Sequence, residues 1–209
     1  MTNQKKIETQ LSAITTAGIT PRLLLHCCCA PCASYVLEYL SPIFDITLLY
    51  FNPNIYPYEE YEKRASMLDL LLTSATYPND VKLIISEYGT EAFQIMAEPL
   101  LDAPEGGARC TECFELRLSE TAKRAKKDGF DYFTTTLSVS PHKNAELLNN
   151  IGSRLSAEYK IEYLQSNFKK HDGYKRSVEL SKLYGLYRQP YCGCSSSLSL
   201  SQTSPQAQL

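Results

Sequence analysis

A chain of 209 residues with 44% apolar and 21% charged residues reads as one ordinary globular domain, long enough to bury a core without disulfide staples. Its apolar runs, such as 46–51, are far too short to cross a bilayer, and its polar first ten residues hold no apolar signal segment. The net charge of −2 excludes little, but it is uneven: residues 1–108 carry 6 Lys/Arg against 13 Asp/Glu, and residues 109–209 carry 15 against 10. That polarity is compatible with a polyanion over the C-terminal half, although charge alone favours a dipolar surface without nucleic acid.

In chain order, residues 1–20 read as an N-terminal extension. Leu23-Leu24-Leu25-His26 is a short apolar run that predicts a buried strand. Pro31 suits the first turn of a helix reaching about Leu40. Phe44 to Phe51 predicts the next strand, closed by Asn52-Pro53-Asn54. A helix follows with Tyr61, Ala65, Leu68 and Leu72 on one face, then a strand from Val81 to Ser86. Ala92 to Ala97 is a short helix, and Asp102 to Gly107 a turn-rich loop.

Thr111 to Lys127 is helical by pattern, with Phe114, Leu118, Ala122 and Ala125 inward and Gly129 placed to end it. Phe130 to Leu137 predicts a strand, and Leu147, Leu148, Ile151 and Leu155 mark another helix. Tyr163-Leu164 is a weak strand, and a last helix spans about Tyr174 to Leu186. The composition from Ser195 onward predicts disorder, with 196–209 as a tail. The expected fold is α/β: a parallel sheet flanked by helices, Rossmann-like and three-layered, in a single domain over 21–195.

The eight cysteines carry the chemistry. No secretion signal is read, so the chain is expected in a reducing cytoplasm, where cysteines serve as metal or redox ligands. They fall in three groups: Cys27-Cys28-Cys29-Ala30-Pro31-Cys32, Cys110-Thr111-Glu112-Cys113 and Cys192-Gly193-Cys194. The first lies at a predicted strand end, where open parallel sheets bind ligands. Cys32 falls in the first turn of the next helix, where thiolates are favoured. Tetrahedral zinc needs four ligands and leaves four cysteines without a task. A 4Fe–4S cluster beside a single metal uses about seven. Neighbouring Cys28 and Cys29 are expected to address two metals rather than one. The rival readings are a zinc-stabilised nucleic-acid-binding module, a thiol-disulfide oxidoreductase built on Cys29 and Cys32, and a set of inert buried cysteines.

These residues resemble the epoxyqueuosine reductase QueH family. The resemblance rests on Leu-Leu-His26-Cys-Cys28-Cys29-Ala-Pro-Cys32, on Tyr50-Phe51-Asn52-Pro53-Asn54-Ile55, and on Gly106-Gly107-Ala-Arg109-Cys110-x-x-Cys113-Phe114-x-Leu-Arg117-Leu. Thr135-Thr136-Leu137-Ser138-x-Ser140-Pro141-His142-Lys143-Asn144 and Tyr187-Arg188-Gln189-x-Tyr191-Cys192-Gly193-Cys194 complete it. Pro190 departs from the family's usual Arg-Gln-Tyr-Cys.

The resemblance implies reductive removal of the epoxide oxygen of epoxyqueuosine, at the wobble position of a tRNA anticodon stem-loop. It implies a 4Fe–4S cluster with an adjacent mononuclear iron and no cobalamin, fed by an electron donor that the sequence does not name. Cys28, Cys29, Cys32, Cys110, Cys113, Cys192 and Cys194 are the implied metal ligands, and Cys27 falls at the variable position. His26 and His142 are the candidate proton donors, because histidine titrates near neutrality; the blander alternatives are a hydrogen-bonded strand residue and a loop cap. Arg109, Arg117, Asn52, Lys143 and Arg188 are candidate substrate or tRNA contacts. Lys169, Lys170, Lys175, Arg176 and Lys182, interleaved with tyrosines, are a weaker set whose plain reading is a solvated helix face.

Overall fold

The computed structural model describes residues 3–198. Twelve main elements alternate along it: α1 (Asn3–Ala17), β1 (Arg22–His26), α2 (Ala30–Leu40), β2 (Asp45–Tyr50), α3 (Tyr58–Ser74), β3 (Val81–Ile85), α4 (Glu91–Ala97), α5 (Ala108–Lys127), β4 (Tyr132–Thr135), α6 (Ala145–Tyr159), β5 (Glu162–Tyr163) and α7 (Gly173–Leu183). The five strands form one sheet in the order β3-β2-β1-β4-β5, and every pairing is parallel. The expected three-layer α/β fold is present. Among the described residues no helix is long and apolar enough to cross a membrane.

Side-chain alternation along β1 divides the core. Leu23, Leu25 and Cys27 point into one layer with α1, α2 and α3, and Leu24 points into the other with α5 and α6. The chain winds outward from β1 through β2 to β3, then returns to lay β4 on the opposite side of β1. The C-terminal end of β1 is therefore the switch point of the sheet, where a crevice opens. The first cysteine group lies there.

Several boundaries differ from the sequence expectation, each for a local reason. The residues before β1 are not a bare extension: α1 seats Ile7, Leu11 and Ile14 in the core. Gln10 on α1 donates to the Tyr163 carbonyl at 3.1 Å and accepts from the Gln165 N–H at 3.1 Å, so the helix covers the otherwise open edge at β5. β4 stops at Thr135 because its hydroxyl accepts the Leu137 N–H at 3.1 Å, turning 136–139 into a 3-10 helix. α7 ends at Leu183 rather than near Leu186. Gly185 takes φ 64° and the Leu186 N–H returns to the Ser181 carbonyl at 2.8 Å. α5 stops as expected, with Gly129 at φ 70° and the Phe130 N–H on the Ala125 carbonyl at 2.9 Å. Residues 195–198 form a helical turn; the tail expected to be disordered lies, from 199 on, outside the described residues.

Candidate active site

The first cysteine group is made by β1 and α2. Cys27 continues the ladder, its N–H on the Leu49 carbonyl at 3.0 Å, and its side chain is fully buried on the layer of Leu23 and Leu25. Cys28 turns to the other layer. Cys29 is the N-cap of α2, with extended φ −170° and ψ 158°. The bend at 28 followed by an extended cap brings their Sγ atoms to 3.7 Å. That separation is close to one edge of a tetrahedral thiolate site, about 3.8 Å for ~2.3 Å metal–sulfur bonds. Cys32, one turn into α2, completes a triad with all Sγ atoms within 4.8 Å.

The triad is electrostatically shared. Thiol donors from Cys28 and Cys32 hold Cys29 well below the ordinary thiol range against the cost of burial, and Gln189 adds a further hydrogen bond. Cys28 and Cys32 are pushed up in return, by their bonds within the triad and by burial. The three thiols therefore titrate as one group, with the hydrogen bonds of the triad favouring the thiolate at Cys29. A metal would draw off the remaining thiol protons.

The second group occupies the opening turns of α5, which begins at Ala108, earlier than expected. The Gly106 N–H donates to Cys110 Sγ at 3.2 Å. Cys113 is buried, and burial raises it to about 11 although the Arg117 charge opposes this. The third group lies beside the second: Cys113 and Cys194 pack in one small cluster with Phe93 and Ala97. Lys143 Nζ donates to Cys192 Sγ at 3.1 Å.

Arg117 is where the three groups meet. It is 1% exposed, and its charge is opposed by burial but sustained by Cys113, Cys192 and Cys28, one residue from each group. Its Nε donates to the Cys113 carbonyl at 3.1 Å, while its buried Nη2 has no protein acceptor. A desolvated guanidinium N–H without an acceptor is costly unless an anion is present. Among the described residues, Cys28, Cys29 and Cys32 are the one set of metal-ligating side chains drawn within 4.8 Å; Cys110, Cys113 and Cys192 stand around Arg117 and Lys143, and Cys194 packs against Cys113.

The remaining candidates divide sharply. His26 is fully buried; its Nε2–H donates to the Phe51 carbonyl at 3.2 Å and its Nδ1 accepts from the Thr135 hydroxyl at 2.9 Å. A carbonyl only accepts, so the ring is the neutral Nε2–H tautomer. Burial, with the Arg117 charge second, lowers its pKa to about 4. His142 is exposed on the loop before α6. Asn52 is buried and donates to the Cys27 carbonyl at 2.9 Å, bracing the cysteine turn, with Oδ1 unpartnered. Arg109 is buried and turned onto the Leu100 and Leu101 carbonyls at 3.2 and 2.8 Å. Arg188 is exposed, beyond the end of α7, and its side chain returns to that helix, donating to Ser181 Oγ at 3.2 Å. Within the weaker basic set, Arg176 is committed to Glu38 through 2.9 and 2.8 Å bonds.

Sequence reasoning missed Arg64, Glu60 and Gln189. Arg64 had a signal: with Tyr61, Ala65 and Leu68 it continues an apolar helical stripe, an unusual place for an arginine. Gln189 had none beyond its place in a motif.

A protein-family model described as Epoxyqueuosine reductase QueH matches residues 23–199. A protein named Epoxyqueuosine reductase QueH from Staphylococcus epidermidis is 44% identical over 181 residues, covering 85% of this chain and 76% of its own. One of the same name from Streptococcus pyogenes is 42% identical over 179 residues (85% and 70%), and one from Thermotoga maritima 37% over 182 residues (84% and 90%). The chain belongs to the epoxyqueuosine reductase QueH family.

Proposed function

We propose that this member of the QueH family reduces epoxyqueuosine in the wobble position of a tRNA anticodon, removing the epoxide oxygen with a 4Fe–4S cluster and an adjacent iron held by Cys28, Cys29, Cys32, Cys110, Cys113, Cys192 and Cys194. The observation that carries this reading is the convergence of three distant cysteine groups on buried Arg117 at the sheet's switch point. The residues suit such centres. Three sulfurs lie within 4.8 Å, all eight cysteines are free thiols, and Arg117 Nη2 offers a buried donor to an anionic acceptor. When bound, the metal centres supply single electrons and a Lewis acid for the departing oxygen. No role is assigned to cobalamin. Eight free cysteines suit a reducing cytoplasm.

The chain's own residues supply charge, position and protons. Arg117 and Lys143 balance thiolate charge. His26 holds the end of β1 to β4 and to Phe51, and its committed Nε2–H makes it an anchor for the cysteine turn. Proton delivery falls to the loop carrying His142 and Lys143, where His142 reaches solvent. Lys169 and Lys170 face the anticodon phosphates, with Lys169 Nζ on the Lys143 carbonyl at 2.6 Å, while the Lys143 ammonium is turned inward to Cys192. Arg188 adds an exposed cation, while Arg109 and Asn52 shape the walls. Residues 21–195 are the catalytic metal-binding unit, and the preceding helix is an extension that closes the sheet edge.

Anaerobic reconstitution tests the reading. About five irons per chain are expected by cluster-plus-one arithmetic, with turnover of a stem-loop carrying epoxyqueuosine. Iron-free protein that still turns over, or a preparation holding only about one zinc per chain, overturns it.

A further inference from the structure

Arg64 lies on α3, far in sequence from every cysteine, and is 1% exposed. Its Nε is paired with Glu60 Oε1 at 2.7 Å, one helical turn back. Its Nη1 donates to the Cys192 carbonyl at 2.9 Å, and its Nη2 to the Tyr191 carbonyl at 3.3 Å. Its guanidinium lies 5.2 Å from the Tyr191 ring centroid. Glu60 uses its second oxygen to accept from the Tyr187 hydroxyl at 3.2 Å. One ion pair on α3 thus grips three residues of the C-terminal segment.

The turn itself is shaped to be gripped. Gly193 takes φ +124°, and a Cβ there would stand 3.1 Å from Arg64 Nη1 and 3.0 Å from Ile55 Cγ1. The Gly193 carbonyl accepts the Tyr56 N–H at 2.9 Å, so the turn is pinned from both sides. The same guanidinium lies within charge reach of Cys29 and Cys28. Arg64 therefore stands between the first and third cysteine groups.

We propose that Arg64, held by Glu60, is a positioning residue that clasps the Cys192-Gly193-Cys194 turn by its backbone and docks it against the Cys28-Cys29-Cys32 triad. The clasp itself stands on contacts within the chain; its consequence for metal loading rests on the ligand reading above. A planar fork serves two adjacent carbonyls and one carboxylate at once, which a lysine's point charge cannot do.

The test compares Arg64→Lys, which keeps the charge and loses the fork, with Gly193→Ala, which pushes the turn off Arg64 from the other side. In protein as purified, alkylation of each cysteine is followed by peptide mass spectrometry; iron per chain is measured after reconstitution. Both variants are expected to speed alkylation of Cys192 and Cys194 by about tenfold or more, through local opening of the turn. Cys27, in the opposite layer, should stay within about twofold, circular dichroism should be native, and iron should fall. If Cys192 and Cys194 react as in the wild type in both variants, the clasp is wrong. If all cysteines speed up together, Arg64 merely holds the fold and the proposal is equally overturned. Should Arg64→Lys fail to fold, Gly193→Ala decides. Wild-type protein that takes up no iron removes the ligand reading and leaves the alkylation result to judge the clasp alone.

Discussion

The first and third cysteine groups reach the same crevice by opposite means. Cys28, Cys29 and Cys32 are placed by backbone in regular elements: the end of β1, its ladder to Leu49 on β2, and the N-cap of α2. Cys192 and Cys194 belong to no strand, and are placed by side chains 49 and 128 positions away in sequence, Lys143 and Arg64. A site built on a strand end shares the stability of the core, whereas one held by remote side chains opens at their lower local cost. The contrast predicts a rigid half and a separately mobile half of one centre.

The largest effect that sharpens this contrast comes from removing ligands. Cys28→Ala and Cys192→Ala are each expected to lower metal affinity more than about 100-fold, beyond the usual effect of residues behind a ligand, with loss of turnover. Iron per chain measures it. If Cys192→Ala keeps its iron while Cys28→Ala loses it, the third group is not part of the centre.

Acid should weaken the strand-borne half through His26. Its folded pKa, about 4, lies below the ordinary 6.5, so the unfolded chain binds the extra proton. The stability from keeping His26 neutral is fully present above about pH 6.5 and is lost as pH falls toward 4. Metal-free protein should lose on the order of 2 kcal/mol between pH 7 and 5 from this residue. Urea unfolding at the two pH values reads it, and a His26→Gln variant should lack this part of the slope. An unchanged slope in the variant would mean that the ring is not held neutral.

Asn52→Ala should cost about 1–2 kcal/mol by leaving the Cys27 carbonyl without its buried donor. Its effect should be confined to the first group: faster alkylation at Cys28, with Cys192 unchanged. Equal acceleration at both would mean that the two halves open as one. The smallest effect belongs to Cys27→Ala, at about 1 kcal/mol or less. Its side chain packs with Leu23 and Leu25 away from the triad, so iron and turnover should be retained. Iron loss there would place the triad on the wrong face of β1.

Much of this was legible because it is periodic or local. Apolar alternation marked β1, Pro31 and Gly129 marked helix ends, and strand register set Cys27 apart from Cys28. Cysteine spacing marked the three groups. The short apolar stripe of α1 was passed over because three residues stabilise a helix only when a core receives them. Gly185 stops α7 one turn before the pattern of apolar residues ends, and Thr135 ends β4 through a side-chain bond that composition does not reveal.

Sequence alone determined the strand-helix alternation, the sheet's class and which residues carry thiols, because backbone propensity and side-chain period act over a few neighbours. Tertiary structure alone decided the roles around those thiols. It turned Arg109 inward onto carbonyls, spent both nitrogens of His26, and left Arg117 Nη2 buried beside one cysteine of each group. It also brought Arg64 to the Cys192 carbonyl. Desolvation and hydrogen-bond partners depend on what the fold packs around a group, and no spacing along the chain specifies that.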